Sequence, residues 1–415
     1  MESEVSKWCE CETVSHVRAW RSYSTTALLT PGYSLGFCAG MCLGLQLTTG
    51  FVLACWYCPT AEGAFFSVDA LARELDAGAM LRGLHANGAS VFFMCVYAHM
   101  VRCLLHGSTG TRGLIWILGV VIWLFLCGAC FTGYSLVYGQ MSLWAIVVIC
   151  SLVTAVPVVG ASILELLWGG SVVSGVTVNR FFGIHFMLPL VLTVIVMAHL
   201  AVLHLVNSSG EAAIVMPRAD RVNFYPLLLG RDAAIVCLPA IILGACAFWD
   251  QDRFGHPDNY VPANPMVTPA LIAPEWYFLP FYGVIRAIPH KALGIVVMAV
   301  LIVCLLSMSS TSAMAQLTGG ASIAMPGVGV SLRASAFLWV LDMVILSEIC
   351  LMVNHAESLY WVLVAATVGC CGGSLLPARR QASDYDENLL FWVSQGHQTK
   401  YFMCVVCGVN CEALE

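Results

Sequence analysis

The chain has 415 residues, of which 60% are hydrophobic and only 10% charged, and its formal net charge is −6. A soluble domain carries about 25% charged residues, so this composition excludes ordinary soluble packing, and the thinly spread acidic charge excludes a nucleic-acid partner. Twenty cysteines are scattered through the apolar runs; they read as small buried hydrophobes and not as a disulfide framework.

Residues 1–30 form an N-terminal extension with Glu2, Glu4, Glu10 and Glu12 and no apolar core of the kind a cleavable leader needs. Apolar runs near the length that crosses a bilayer then follow at about 33–55, 79–105, 112–136 and 175–206. The stretch 138–170 is apolar but broken by "TAVPVVG" and "LLWGGS", which predicts surface-lying or re-entrant helices and not another span. A fifth span is predicted near 229–248. A loop rich in Pro, Asn and Asp covers 249–291 and is ordered by turn chemistry. Further spans fall near 292–310, 334–353 and 357–376, and a tail covers 377–415. The expectation is an all-α integral membrane protein with eight transmembrane helices. Its parts are the extension, a bundle over 31–210 built on the first four spans, a C-terminal membrane region over 211–376, and the tail.

Eight spans put both termini on one side. Twelve of the eighteen Lys and Arg residues then share the terminal side, which the positive-inside rule places on the electrically negative face, cytoplasm or matrix.

The chemistry lies in four histidines. His85 and His99 are fourteen residues apart in span two, and His185 and His199 are fourteen apart in span four. Both spans run the same way, so His85 shares a depth with His185, and His99 with His199. Fourteen residues bring a helix within about 40° of whole turns and rise about 21 Å. Two layers result, each with one imidazole from each helix, which is what bis-histidine ligation of a haem iron requires. Zinc is disfavoured, because each layer offers two ligands and no carboxylate. Gly36 and Gly50 in span one, and Gly119 and Gly133 in span three, repeat the fourteen-residue spacing. They offer notches against which a porphyrin could lie, although small-residue helix packing has the same signature. Arg82 and Arg180 sit where propionates of the upper group would emerge, and Arg102 sits similarly beyond His99.

The stretches "HANGASVFF", "GYSLVYGQMSLW", "NRFFGIHFMLP", "HPDNYVPANP" and "PEWYFLPFYGVIRAIPHKALG" resemble the cytochrome b family of the ubiquinol–cytochrome c reductase complex, respiratory complex III. The likeness runs over about residues 30–375. It implies an N-terminal diheme four-helix bundle, two non-covalent b haems, and ubiquinol and ubiquinone as substrates at sites on opposite membrane faces. It also implies a homodimeric complex with a Rieske iron–sulfur protein, a c-type cytochrome and other complex III subunits, surrounded by membrane lipids. His85 and His185 match the ligands of the low-potential haem on the positive side, and His99 and His199 those of the high-potential haem. Glu275 in "PEWY" matches the carboxylate of the quinol-oxidation site, with Tyr277 in the same motif and Tyr134 and Tyr282 lining that pocket. His204 and Asp232 match a polar pair at the quinone-reduction site. One electron from quinol would pass to the Rieske cluster and the other through both haems to quinone, building a proton gradient.

The chain departs from the family pattern at Val137 and Tyr138, where Pro and Trp are usual. A diheme anchor of a dehydrogenase would not need the PEWY loop or the last three spans, and a histidine proton-relay transporter would not need matched depths. The plastoquinol counterpart is split into two chains and has one more residue in its second histidine spacing, which favours the respiratory form. The mitochondrial inner membrane is expected, with a bacterial plasma membrane as the alternative. In the tail, Cys404, Cys407 and Cys411 with His397 have a spacing that can bind zinc, but packing against a neighbouring subunit or the membrane surface is the expected role.

Overall fold

A computed structural model describes residues 23–27, 29–106, 113–206, 221–288 and 290–307. The predicted spans near 334–353 and 357–376 and the cysteine-bearing tail lie outside the described residues.

The described chain is mostly helical. Five helices are long and apolar enough to cross a membrane: α1 (Leu35–Ala54, extended by a 3-10 turn from Pro31), α3 (Gly78–Leu105), α4 (Gly113–Leu136), α7 (Gly175–Val206) and α8 (Leu229–Trp249). Between them lie α2 (Ala64–Glu74), α5 (Gln140–Ser151) and α6 (Gly160–Trp168), all too short to span. The last two occupy the broken apolar stretch, as its interruptions predicted. Beyond the long loop come α9 (Leu279–Ala287) and α10 (Lys291–Ser307). Trp116 of α4 donates its indole N–H to the Leu305 carbonyl at 2.8 Å, which ties α10 to the bundle.

In an apolar medium a polar side chain must find a partner within the protein. Thr49, Thr132, Ser135 and Thr193 all donate to the carbonyl one turn back, at Leu45, Gly128, Phe131 and Pro189. Pro189 lies inside α7, four residues after His185. It has no N–H to return to the His185 carbonyl, so the helix ladder is open at that turn.

The long helices associate as pairs. Helix α1 packs along α3, and α4 along α7, whereas α1 and α7 meet only sparsely; α8 closes against α3 and α1. Buried side chains such as Phe93, Val120, Trp123 and Leu192 fill the interior.

One feature departs from an all-helical reading. β1 (Ser24–Thr26), in the predicted extension, pairs antiparallel with β2 (Arg221–Asn223), in register Ser24↔Asn223. This pairing fastens Ser24–Thr26 to the segment that opens α8.

Candidate haem and quinol site

Each glycine faces a histidine of the partner helix. A Cβ added at Gly50 would lie 2.9 Å from His85 Cε1, and one at Gly36 would lie 3.0 Å from His99 Cε1. On the other pair, a Cβ at Gly133 would fall 2.5 Å from His185 Cε1, and at Gly119 3.6 Å from His199 Cε1. Real Cβ contacts essentially never fall below 3.0 Å. The fourteen-residue spacing thus runs in register down both antiparallel pairs. What the missing side chains admit in this structure is the imidazole edge.

The upper layer is well defined. The His85 and His185 ring centres are 6.3 Å apart with perpendicular planes. Two metal–imidazole bonds of about 2 Å, with each ring centre about 1 Å behind its nitrogen, also sum to roughly 6 Å. His185 Nδ1 is 2.8 Å from the Ala129 carbonyl, and His85 Nδ1 is 2.8 Å from Thr49 Oγ1. A carbonyl can only accept, so the His185 proton sits on Nδ1, and Nε2 is the nitrogen left to ligate. The residues present therefore fit a haem iron: matched rings, free Nε2 positions and helix faces without Cβ atoms.

The lower layer differs. His99 Nδ1 has the Arg102 guanidinium 3.3 Å away, and that guanidinium lies over the Tyr33 ring at 4.2 Å. Arginine is donor-only, so in this arrangement His99 Nδ1 accepts. Arg102 therefore stands beside the imidazole itself and not clear of it.

Between the two helix pairs lies a largely apolar cavity of about 560 Å³, within the size range of small-molecule sites. His85, His185, Gly50 and Gly133 line it, as do Arg82, Tyr134, Glu275 and Tyr277. The upper histidine layer and the PEWY carboxylate thus share one space. Trp276 donates its indole N–H to Ser90 Oγ at 3.1 Å, and the Tyr277 carbonyl accepts from Tyr97 Oη at 2.7 Å. The Tyr277 ring stacks on Phe93 at 4.1 Å. These contacts fix the segment on α3. Glu275 occupies the N-cap position of the 3-10 turn Trp276–Phe278, yet its side chain makes no capping hydrogen bond, so the carboxyl is available to the cavity. Burial pushes its pKa up from the ordinary carboxylate range to about 7.

The loop roof is clasped to α5. The Ser142 backbone N–H donates to Asn259 Oδ1 at 3.0 Å, and the Asn264 N–H donates to Gln140 Oε1 at 2.8 Å. Gln140 Nε2 and the Trp144 indole both donate to the Val267 carbonyl. At the departure from the family pattern, Val137 lines the cavity, and Tyr138 is buried with φ +49° while its carbonyl accepts from Ala263. A non-glycine residue in that conformation costs about 1–2 kcal/mol, which the clasp sustains.

Other expected site residues lie elsewhere. Arg180 is exposed and donates to the Leu166 carbonyl, and it does not line the cavity. Arg82 lines the cavity with its guanidinium 4.9 Å from the Tyr260 ring centre. Tyr282 also lies outside the lining, and its hydroxyl donates to the Ile272 carbonyl at 3.1 Å. Asp232 is buried and accepts from Ser34 Oγ at 2.6 Å, whereas His204 is exposed and stacks on Tyr23 at 5.2 Å. Among the described residues no hydrogen bond or ion pair joins those two. Ser34, Tyr23, Thr49 and Ser90 were not singled out from the sequence. A polar residue beside a spaced glycine, as Thr49 is beside Gly50, was the one signal available.

Residues 20–207 match the family described as Cytochrome b/b6/petB, and residues 262–369 match Cytochrome b(C-terminal)/b6/petD. The cytochrome b of Arabidopsis thaliana is 44% identical over 287 residues, covering 69% of this chain and 73% of the relative. The chain belongs to the cytochrome b family. The cytochrome b of Yarrowia lipolytica is 45% identical over 275 residues, 66% of this chain and 71% of that one. A solved structure described as a hyperthermophilic respiratory Complex III superposes with a TM-score of 0.78 at 25% identity, covering 91% of this chain and 98% of that chain. As a cytochrome b of the complex III type, the chain is a multi-pass, haem-binding membrane protein of electron transport, belonging to a quinol–cytochrome c oxidoreductase complex.

Proposed function

We propose that this cytochrome b is the diheme transmembrane subunit that oxidises ubiquinol at a positive-side site and reduces quinone at a negative-side site. The observation that carries the reading is the shared cavity: His85 and His185 at one wall, Glu275, Tyr134 and Tyr277 at another. His85 with His185, and His99 with His199, hold two b haems, with Gly36, Gly50, Gly119 and Gly133 keeping the helix faces clear. Arg82, Arg102 and Arg180 serve propionates; for Arg102 and Arg180 this requires leaving their present partners. The haems, when bound, carry single electrons across the membrane.

The protein's own residues do the rest. The apolar walls exclude water and bind the quinol ring. Glu275 accepts a proton near neutral pH, because burial has brought its pKa to about 7, close to the operating pH where a general base is most effective. Tyr277 is locked by its stack on Phe93 and orients the motif. Asp232, buried at the end of α8 opposite the long loop, and His204 at the end of α7 supply protons for quinone reduction. Tyr282 braces the loop through Ile272 and reaches the quinol only by leaving that contact.

The wider reading has eight spans with the first four as the diheme bundle. It places the chain in the mitochondrial inner membrane, within a homodimeric complex with a Rieske protein and a c-type cytochrome. The test has two parts. A reduced-minus-oxidised spectrum of the purified complex is expected to show two b haems, and its absence overturns the proposal. His99→Leu is expected to remove the lower haem and leave the upper one, halving b-haem content; retention of both contradicts the ligand assignment.

A further inference from the structure

We infer that Thr49 is a positioning residue for the upper haem, acting as the hydrogen-bond acceptor that holds the His85 proton on Nδ1 and so leaves Nε2 to the iron. The inference rests on the haem reading above but concerns a residue outside the ligand set.

Threonine has a single hydroxyl hydrogen to donate. Thr49 Oγ1 lies 2.7 Å from the Leu45 carbonyl and 2.8 Å from His85 Nδ1. A carbonyl cannot donate, so the Leu45 contact is made only if Thr49 gives it its hydrogen. The oxygen then has lone pairs alone to offer His85, and the imidazole must donate. The reverse assignment puts the imidazole proton on Nε2, where it blocks ligation, and leaves the Leu45 contact unmade. Only one of the two patterns satisfies every group and frees the ligating nitrogen.

The surroundings make the contact specific. Thr49 is buried, and its neighbour Gly50 is the residue whose missing Cβ lets His85 approach α1. Gln46, one turn earlier, donates to the His85 carbonyl at 3.1 Å. Helix α1 therefore grips His85 by ring and backbone. The two upper histidines are held unequally: His185 leans on a backbone carbonyl, His85 on a side chain. Partners of this kind fix the tautomer and raise the basicity of the ligand. A more electron-rich imidazole favours the oxidised iron, so Thr49 lowers the midpoint potential of the upper haem.

The experiment uses the assembled complex carrying Thr49→Val, which keeps the shape and removes the acceptor, and Thr49→Ser, which keeps the acceptor. Redox titration followed in the b-haem bands, with low-temperature electron paramagnetic resonance, reads each haem separately. The expected result for Thr49→Val is an upper-haem midpoint moved upward and an altered low-spin signal, with the lower haem unmoved; Thr49→Ser restores wild-type values. If Thr49→Val instead loses the upper haem while Thr49→Ser retains it at the wild-type potential, the acceptor role is again supported. Wild-type potential and signal in Thr49→Val, or equal damage in both variants, overturns the inference. Complete absence of b haem from the wild-type complex would instead overturn the haem reading on which it rests.

Discussion

Replacing Gly133 by valine is expected to abolish the upper haem and reduce quinol oxidation by on the order of 100-fold, the upper end of what disturbing the surroundings of a metal ligand costs. Even the first added carbon would sit 2.5 Å from His185 Cε1. The ring cannot swing aside without giving up its 2.8 Å bond to the Ala129 carbonyl, and α4 cannot retreat because it packs along α7 for most of its length. Gly128→Ala on the same helix is the control: its Cβ would meet Leu188 Cδ1 at 3.5 Å, an ordinary contact. Haem content measured per purified complex distinguishes them. A Gly133→Val complex with both haems at wild-type level would show that the α4–α7 register does not govern the ligand.

The second large effect is expected at Glu275. Glu275→Gln should leave both haem spectra intact and slow quinol oxidation by about 100-fold above neutrality, the lower range for loss of a general base. The sign follows from the pKa. Burial raises it to about 7, so the proton-accepting carboxylate is scarce below neutrality and becomes the main form above it. Wild-type turnover should therefore climb from about two pH units below that value and level off about one unit above it, while the glutamine variant stays flat. At the acidic end the two rates should converge. A variant retaining the wild-type climb would remove Glu275 from the proton path.

The sequence was most legible where physics imposes a period. Fourteen-residue spacing in His85/His99, His185/His199 and both glycine pairs is a geometric statement about helices, and the structure sets those positions face to face. The five described spans and the broken stretch holding α5 and α6 followed from apolar run length and from interruptions by Pro and Gly. Long-range polar pairings were not legible. Nothing local in "RVN" says that it will pair with "STT", or that Ser34 will bind Asp232, because such partners are chosen by tertiary proximity. The present contacts of Arg180 and Arg102 were not legible for a related reason. Their long side chains reach whatever acceptor is nearest, so Arg180 turned to the Leu166 carbonyl and Arg102 to His99, and spacing along the chain could not foresee it. The cavity position of Glu275 was legible from its motif, but the anchors that put it there, Ser90 and Tyr97 on α3, were not.

The bond between Ser34 and Asp232 spans 198 positions, and the Arg231 bond to the Leu29 carbonyl spans 202. At about 5–20 residues per second of synthesis, some 10–40 seconds separate the first partner from the second. During that interval the segment ahead of α1 has emerged, but its strand partner and the head of α8 do not yet exist. The first four long helices are all synthesised before this seam can be sewn. Closure of the seam therefore comes late in synthesis, and a chain arrested before α8 could not make it.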